Sequence, residues 1–229
     1  MGPQNLPLQV LKLRERIARA CSIAGRSAQS VTLLAAAKGH PPEQLAAAAD
    51  CGLSDFGASY LQEGLADIAA LRERPLRWHF IGQVQSNKTR AIAAAFSWVH
   101  AVDRLKIAER LSAQRPAPLP PLNVCLEVNI AGEASKGGVA PQATAALAAA
   151  VARLPRIALR GLMCIPPEES QVARQRHWFA RLRALLEQLN AAGARLDTLS
   201  MGMSGDFEAA ILEGATIVRI GTALFGPRV

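Results

Sequence analysis

The sequence predicts an α/β fold, a single-domain TIM (β/α)8 barrel with an additional N-terminal helix, and three observations carry that prediction. Short uncharged runs bounded by Gly or Pro read as strands buried on both faces, as in parallel sheets. Each run is followed by a stretch with helical apolar spacing, and eight such units succeed one another over short links. No linker, low-complexity segment or shift of composition divides the 229 residues. Residues 1–229 are therefore read as one domain, with residues 1–29 as its N-terminal helix and lead-in.

The elements follow in order. Residues 6–24 place Val10, Leu13, Ile17 and Ala20 on one helical face. Residues 31–38 are the first strand, seven uncharged residues that run into Lys38 before Gly39-His40-Pro41-Pro42 breaks the run. A helix over 42–51 is closed by Gly52. Residues 55–57 are a second strand, 60–72 a helix, 77–82 the third strand and 83–88 a loop and helix start. Residues 97–102 are the fourth strand, and Asp103 is expected to cap the next helix. Four prolines within 116–121 end that helix, and 122–129 is the fifth strand. A glycine-rich loop, 131–138, leads to an Ala-rich helix over 141–152. The sixth strand spans 157–165 and the longest helix 168–192, ending at Gly193. Residues 197–200, 206–212 and 216–221 complete the pattern as strand, helix and strand.

Composition narrows the function. Half the residues are hydrophobic but only 4% aromatic, so the core is expected to be built from Ala, Leu, Val and Ile. Cys21, Cys51, Cys125 and Cys164 lack metal-ligand spacing and read as reduced, mostly buried thiols of a cytoplasmic protein. No metal site is expected. The amino terminus has no basic segment followed by an apolar core, and apolar runs fall short of the roughly 20 residues that cross a bilayer. The net charge of +8 invites a nucleic-acid reading. The arginines at 153, 156 and 160, and at 174, 176, 181 and 183, have few aromatics among them, so a stacking surface is missing. They read instead as solvated helix faces.

In a barrel the chemistry lies at the carboxyl ends of the strands. Lys38 stands at such an end, where an amine loses hydration and its neutral form becomes more accessible, as Schiff-base chemistry with an aldehyde requires. The plainer alternative is a lysine that ends a strand and reaches into water. Ser200 and Arg219 bracket Met201-Gly202-Met203-Ser204-Gly205-Asp206, a small-residue loop that opens a helix and can cup a phosphate. Gly221 and Thr222 supply a second tip beside it, in the place where barrels often bind phosphate. Arg219 interrupts the apolar run Ile217-Val218-Arg219-Ile220. It is either paired with an acid such as Glu127 or Asp206, or aimed at a ligand. Amine, phosphate cup and arginine together fit pyridoxal 5′-phosphate, which has an aldehyde, a phosphate and a ring nitrogen.

Several motifs strengthen this reading: Leu34-Ala35-Ala36-Ala37-Lys38, Trp78-His79-Phe80-Ile81-Gly82 with Gln85-Ser86-Asn87-Lys88, Gly161-Leu162-Met163, Leu199 to Ser204, and Val218-Arg219-Ile220-Gly221-Thr222. With them the sequence resembles the pyridoxal-phosphate-binding family of PLP homeostasis proteins, itself similar to the N-terminal barrel of alanine racemase. The resemblance covers roughly residues 30–227. It implies that Lys38 carries the cofactor as a Schiff base. It implies that Ser204, Gly221 and Thr222, with Ser200 nearby, contact the phosphate, and that Arg219 partners the ring nitrogen. Met163 then covers a ring face, Lys136 lies near the ring hydroxyl, and His79 is a motif position of the pocket. Where the family reads Phe-Gly-Glu-Asn-Tyr, this sequence has Phe56-Gly57-Ala58-Ser59-Tyr60, so Ser59 takes the place of the asparagine expected near the cofactor.

The resemblance implies a non-enzymatic carrier that serves vitamin B6 homeostasis, with apo-enzymes as recipients and no nucleic-acid or membrane partner. The alternative is a small PLP enzyme such as an amino-acid racemase. A two-base racemase needs an acid/base on each ring face. In alanine racemase the second is a tyrosine from a further domain, and Tyr60 is the only tyrosine here. An arginine at the ring nitrogen keeps that nitrogen unprotonated and weakens the ring as an electron sink. A Schiff-base aldolase acting on a phosphosugar is a third reading, for which an acid/base set around Lys38 is missing. A monomer is expected, because the racemase dimer uses the further domain.

Overall fold

The computed structural model describes residues 5–227. Among them, eight parallel strands close into a barrel in sequence order: β1 (Thr32–Ala36), β2 (Asp55–Ala58), β3 (Arg77–Phe80), β4 (Trp98–Val102), β5 (Leu122–Glu127), β6 (Ile157–Met163), β7 (Thr198–Ser200) and β8 (Ile217–Ile220). Pairing of β8 with β1 closes the ring, with Leu34 opposite Arg219 and Ala35 opposite Ile220. Around the ring run α2 (Pro42–Asp50), α3 (Leu61–Ala70), α4 (Thr89–Ala95), α5 (Leu105–Gln114), α6 (Thr144–Val151), α7 (Val172–Ala191) and α8 (Phe207–Leu212). The extra helix α1 (Leu6–Ile23) precedes the barrel, and α9 (Thr222–Phe225) follows β8. The sequence pattern did not announce α9, which is a single turn.

Local chemistry sets the ends of these elements. The Asn5 side chain caps α1 by accepting the Leu8 N–H, and Gly25 turns the chain out of it at φ +64°. Gly52 does the same after α2 at φ +79°. The strands are shorter than the apolar runs because a ladder needs both partners. Thus β1 ends at Ala36, although the Ala37 N–H still reaches the Gly57 carbonyl at 2.9 Å. Asp103 does not cap α5: the cap position is Arg104, and the Asp103 carboxylate takes up the Arg104 guanidinium at 2.7 Å instead. Gly161 pairs with Thr198 of β7, and a Cβ there would stand 1.8 Å from the Thr198 carbonyl oxygen.

The core between ring and helices is built from Leu, Val, Ile and Ala as expected, but it also takes Phe56, Phe80, Phe96, Phe179 and Phe207, all fully buried. Each such ring contributes on the order of 1.5–3 kcal/mol by leaving water. Helix α1 lies across α8 and α9, covering the seam with Val10, Leu13 and Ile17. Arg16 reinforces that contact, bonding Glu208 at 2.6 Å with its guanidinium over the Phe207 ring.

Three of the arginines expected on helix faces lie elsewhere, Arg153 being in the turn after α6. Arg156 sits in a loop at φ 61° and donates to the carbonyls of Arg115 and Pro116. Arg160 belongs to β6, where it pairs with Asp197 and lies over the Trp98 ring. Those on α7 do lie along a helix, and Arg176 and Arg183 both bond the buried Glu213. The four cysteines are free, three of them buried, and burial pushes the Cys125 and Cys164 thiols up to about 12. Among the described residues no helix is long and apolar enough to cross a membrane, and no cluster of His, Cys, Asp or Glu could hold a metal.

Candidate functional site

The site is assembled at the carboxyl-terminal mouth of the barrel, beginning with Lys38. Two residues past β1, Lys38 is half-buried, and its Nζ lies 4.7 Å from the centre of the Tyr60 ring. That position follows from the pairing of Ala36 with Gly57, which brings the ends of β1 and β2 together. The contact is between ammonium and ring face, a favourable arrangement for a cation. Gly39 then turns the chain at φ +73° and donates its N–H to the Glu63 carboxylate on α3.

On the other side of β1 stands the tip of β8. Gly221 lies against Ala36, with room for a Cβ at 3.5 Å. Thr222 opens α9 and is exposed. The preceding tip, that of β7, continues into the loop 201–206, where Gly202 turns at φ +94° close against Ala210. Ser204 joins the two tips, its Oγ accepting the Ala223 N–H at 3.1 Å. Asp206 braces the loop by accepting the Met203 N–H at 2.6 Å, and burial raises its carboxyl despite that bond. Among the described residues, the N–H groups of Ser204, Gly205 and Thr222 donate to no protein oxygen. Three free donors beside a hydroxyl are the chemistry a phosphate requires.

Arg219 is buried below this loop. Its Nη1 donates to the carbonyl and hydroxyl oxygens of Ser200 at 2.7 and 2.8 Å, and its Nη2 to the Cys164 carbonyl at 2.9 Å. Among the described residues no carboxylate hydrogen-bonds it, so the pairing with Glu127 or Asp206 left open by the sequence is not formed. Both carboxylates act on it only at longer range, and burial is what lowers its affinity for its proton. Glu127 is itself raised by burial.

The remaining residues singled out in the sequence lie at different depths. Met163 ends β6 and is buried against Ala101, Cys125 and Trp98. Ser200 ends β7, fully buried. Ser59 follows β2, its carbonyl packed on Gly82. Lys136 is held in the loop after β5, bonding the Pro166 carbonyl at 3.0 Å and Glu133 at 2.7 Å. His79 is not at a strand tip. It is buried within β3, with its Nε2 3.1 Å from Asp55, its Nδ1 2.9 Å from His100, and its ring stacked on Trp98. His100 in turn reaches Ser200 at 2.7 Å. Because β4 and β7 are not neighbours in the ring, that last bond crosses the barrel interior.

Sequence reading missed Tyr60 as the cover of Lys38, Glu63 as the brace of its loop, and Asp55 and His100 as interior polar groups. Only the last two left a signal: a charged or imidazole side chain within a short buried strand. The mouth thus presents an amine at one wall, a cup of free N–H groups at the next, and a guanidinium beneath with unused donors. That donor set fits a small ligand bearing a carbonyl, a phosphate and a ring acceptor.

Comparison with known proteins bears on the same point. A family model described as alanine racemase, N-terminal domain, matches residues 9–229. The pyridoxal phosphate homeostasis protein of Pseudomonas aeruginosa is 59% identical over 219 residues, covering 96% of this chain and 94% of that protein. The protein of the same name from Escherichia coli K12 is 48% identical, covering 95% and 94%. Among solved structures, Synechococcus elongatus PipY with PLP bound superposes with a TM-score of 0.81 at 34% identity, covering 93% of this chain and 99% of that one. Alanine racemase of Clostridium difficile, at 14% identity and a TM-score of 0.74 over 97% of this chain and 56% of that one, shares the fold.

Proposed function

The chain belongs to the family of pyridoxal phosphate homeostasis proteins, and on that premise we propose that it binds pyridoxal 5′-phosphate as a non-enzymatic carrier. When bound, this cofactor supplies an aldehyde that condenses with an amine and releases water. Lys38 is the amine in this reading and holds the cofactor as a Schiff base. Ser204, Gly221 and Thr222 take the phosphate, with Ser200 behind them. Arg219 donates to the ring nitrogen, and Met163, Ser59 and Lys136 line the remainder of the pocket.

The observation that carries the proposal is the pairing of β1 with β8, which sets the Lys38 tip beside Gly221 and Thr222 in one mouth. Arg219 supports the absence of turnover. A guanidinium donor at the ring nitrogen leaves that nitrogen unprotonated, and carbanion chemistry loses its electron sink. Tyr60 meets Lys38 through its ring face rather than its hydroxyl, so it does not supply the second base of a racemase. Release to apo-enzymes, action in the cytoplasm, where free thiols such as Cys21 persist, and a monomeric state belong to the same proposal.

Purified protein mixed with pyridoxal phosphate is expected to turn yellow. Borohydride is then expected to fix a pyridoxyl group on the peptide holding Lys38, and Lys38→Ala to abolish that adduct. An adduct on another lysine, or none, overturns the reading. Robust racemisation or aldol cleavage by the yellow protein overturns the carrier assignment in favour of an enzyme.

A further inference from the structure

The polar groups inside the barrel form one continuous line. Arg77 holds Asp55 through two bonds of 2.8 Å, and Ser54 adds a third at 2.7 Å. From Asp55 the line runs through His79, His100 and Ser200 to Arg219. Five strands contribute to the stretch from Asp55 to Arg219, and all five of its side chains are buried. Asp55 and Arg77 open β2 and β3 at the bottom of the barrel, and Ser200 closes β7 at the mouth.

The direction of the protons along this line is fixed by its two ends. Arg219 can only donate, so both of its Nη1 hydrogens go to Ser200, one to the carbonyl and one to the hydroxyl oxygen. The Ser200 hydroxyl oxygen accepts that bond and still has its own hydrogen to give to His100 Nδ1. In that direction His100 is protonated on Nε2, which donates to His79 Nδ1, and His79 is protonated on Nε2, which donates to Asp55. The opposite direction requires a protonated Asp55. Burial opposes its charge, yet the bonds from His79, Arg77 and Ser54 outweigh burial and hold the carboxyl well below the usual range. Burial likewise keeps both imidazoles neutral. The groups facing His79 are Asp55 on β2, Trp98 and His100 on β4, and Arg77 on its own strand; those facing His100 are His79, Ser200 and Arg219.

We propose that Asp55, His79 and His100 are positioning residues, a one-way hydrogen-bond chain that fixes the Ser200 hydroxyl and through it orients Arg219 in the mouth. A chain ending in a carboxylate polarises each link toward the next, so the Ser200 oxygen becomes a stronger acceptor for the guanidinium. Arg219 has five N–H bonds, and three are committed to Ser200 and Cys164. The Nε–H and one Nη2–H remain, held in a single orientation. The role assigned to them rests on the proposed cofactor reading, whereas the chain itself does not.

The test separates the two. In cofactor-free protein, nitrogen NMR of the imidazoles is expected to show His79 and His100 neutral and protonated on Nε2 at pH 7. An Nδ1–H tautomer or an imidazolium at either residue overturns the chain, whether or not pyridoxal phosphate binds. Asp55→Asn is then expected to shift the Arg219 Nε–H signal, and to do so no longer in a Ser200→Ala background. An unchanged signal, or one that shifts equally in both backgrounds, overturns the positioning role. With pyridoxal phosphate, Asp55→Asn and Ser200→Ala are each expected to weaken binding roughly three- to tenfold, and the double variant no more than Ser200→Ala alone. Additive losses sink the coupling. If Asp55→Asn does not fold, His79→Gln takes its place in the Arg219 signal and binding measurements, with the same outcomes deciding. A wild-type protein that binds no pyridoxal phosphate sinks the function and leaves the NMR outcome to judge the chain.

Discussion

Gly82 abuts the carbonyl of Ser59 so closely that a Cβ on Gly82 would stand 1.9 Å from that oxygen. The contact locks the end of β3 against the turn that carries Tyr60, and Tyr60 covers Lys38. Gly82→Ala is expected to cost about 2–4 kcal/mol, because backbone and not a flexible side chain must move. Urea unfolding measures this, and the same variant is expected to bind pyridoxal phosphate more weakly, since the displaced turn carries the ring away from Lys38.

Tyr60→Leu isolates the aromatic contribution. A cation over an exposed ring is worth about 0.5–1 kcal/mol, so the variant is expected to bind the cofactor with two- to fivefold altered affinity and unchanged fold. Absorbance titration reads the affinity and circular dichroism the fold.

The joined tips of β7 and β8 predict discrimination between ligands. Ser204→Ala removes the acceptor for the Ala223 N–H, a cap-like bond worth about 1 kcal/mol. The preference for pyridoxal phosphate over unphosphorylated pyridoxal is expected to fall several-fold in this variant. The borohydride adduct on Lys38 is expected to survive, because the amine is untouched.

How much of this was legible in the sequence depends on how local each signal is. The barrel is legible because every buried parallel strand writes its own uncharged run and every helix its own period. Lys38 and Arg219 stand out as charges that end or interrupt such runs. The line from Asp55 to Ser200 was not legible, since His79 and His100 each sit alone between apolar neighbours in the sequence. Only ring closure brings strand β4 across to β7. The Asp103 cap failed for a local reason, as an adjacent arginine offered its carboxylate a stronger partner than a backbone N–H.

Asp67 on α3 predicts an unusual pH dependence of stability. It is 3% exposed, its Oδ2 has no hydrogen-bond partner among the described residues, and burial with Glu63 nearby raises its carboxyl to about 6. A folded-state value above the unfolded one means that ionisation opposes folding. The penalty is absent below about pH 4 and complete above about pH 6, and amounts to about 3 kcal/mol. Asp67→Leu is expected to be more stable than wild type at pH 7 by about 1–3 kcal/mol. The advantage is expected to shrink toward pH 4, as urea midpoints across that range will show.

The covering of the barrel seam by α1 has a consequence for biosynthesis. Arg16 meets Glu208 across 192 positions of chain, so a helix made among the first residues finds most of its packing surface among the last. Until α8 and α9 emerge from the ribosome, α1 has only its smaller contact with α2 to make, and a nascent chain in that interval offers chaperones the greasy stripe of Val10, Leu13 and Ile17.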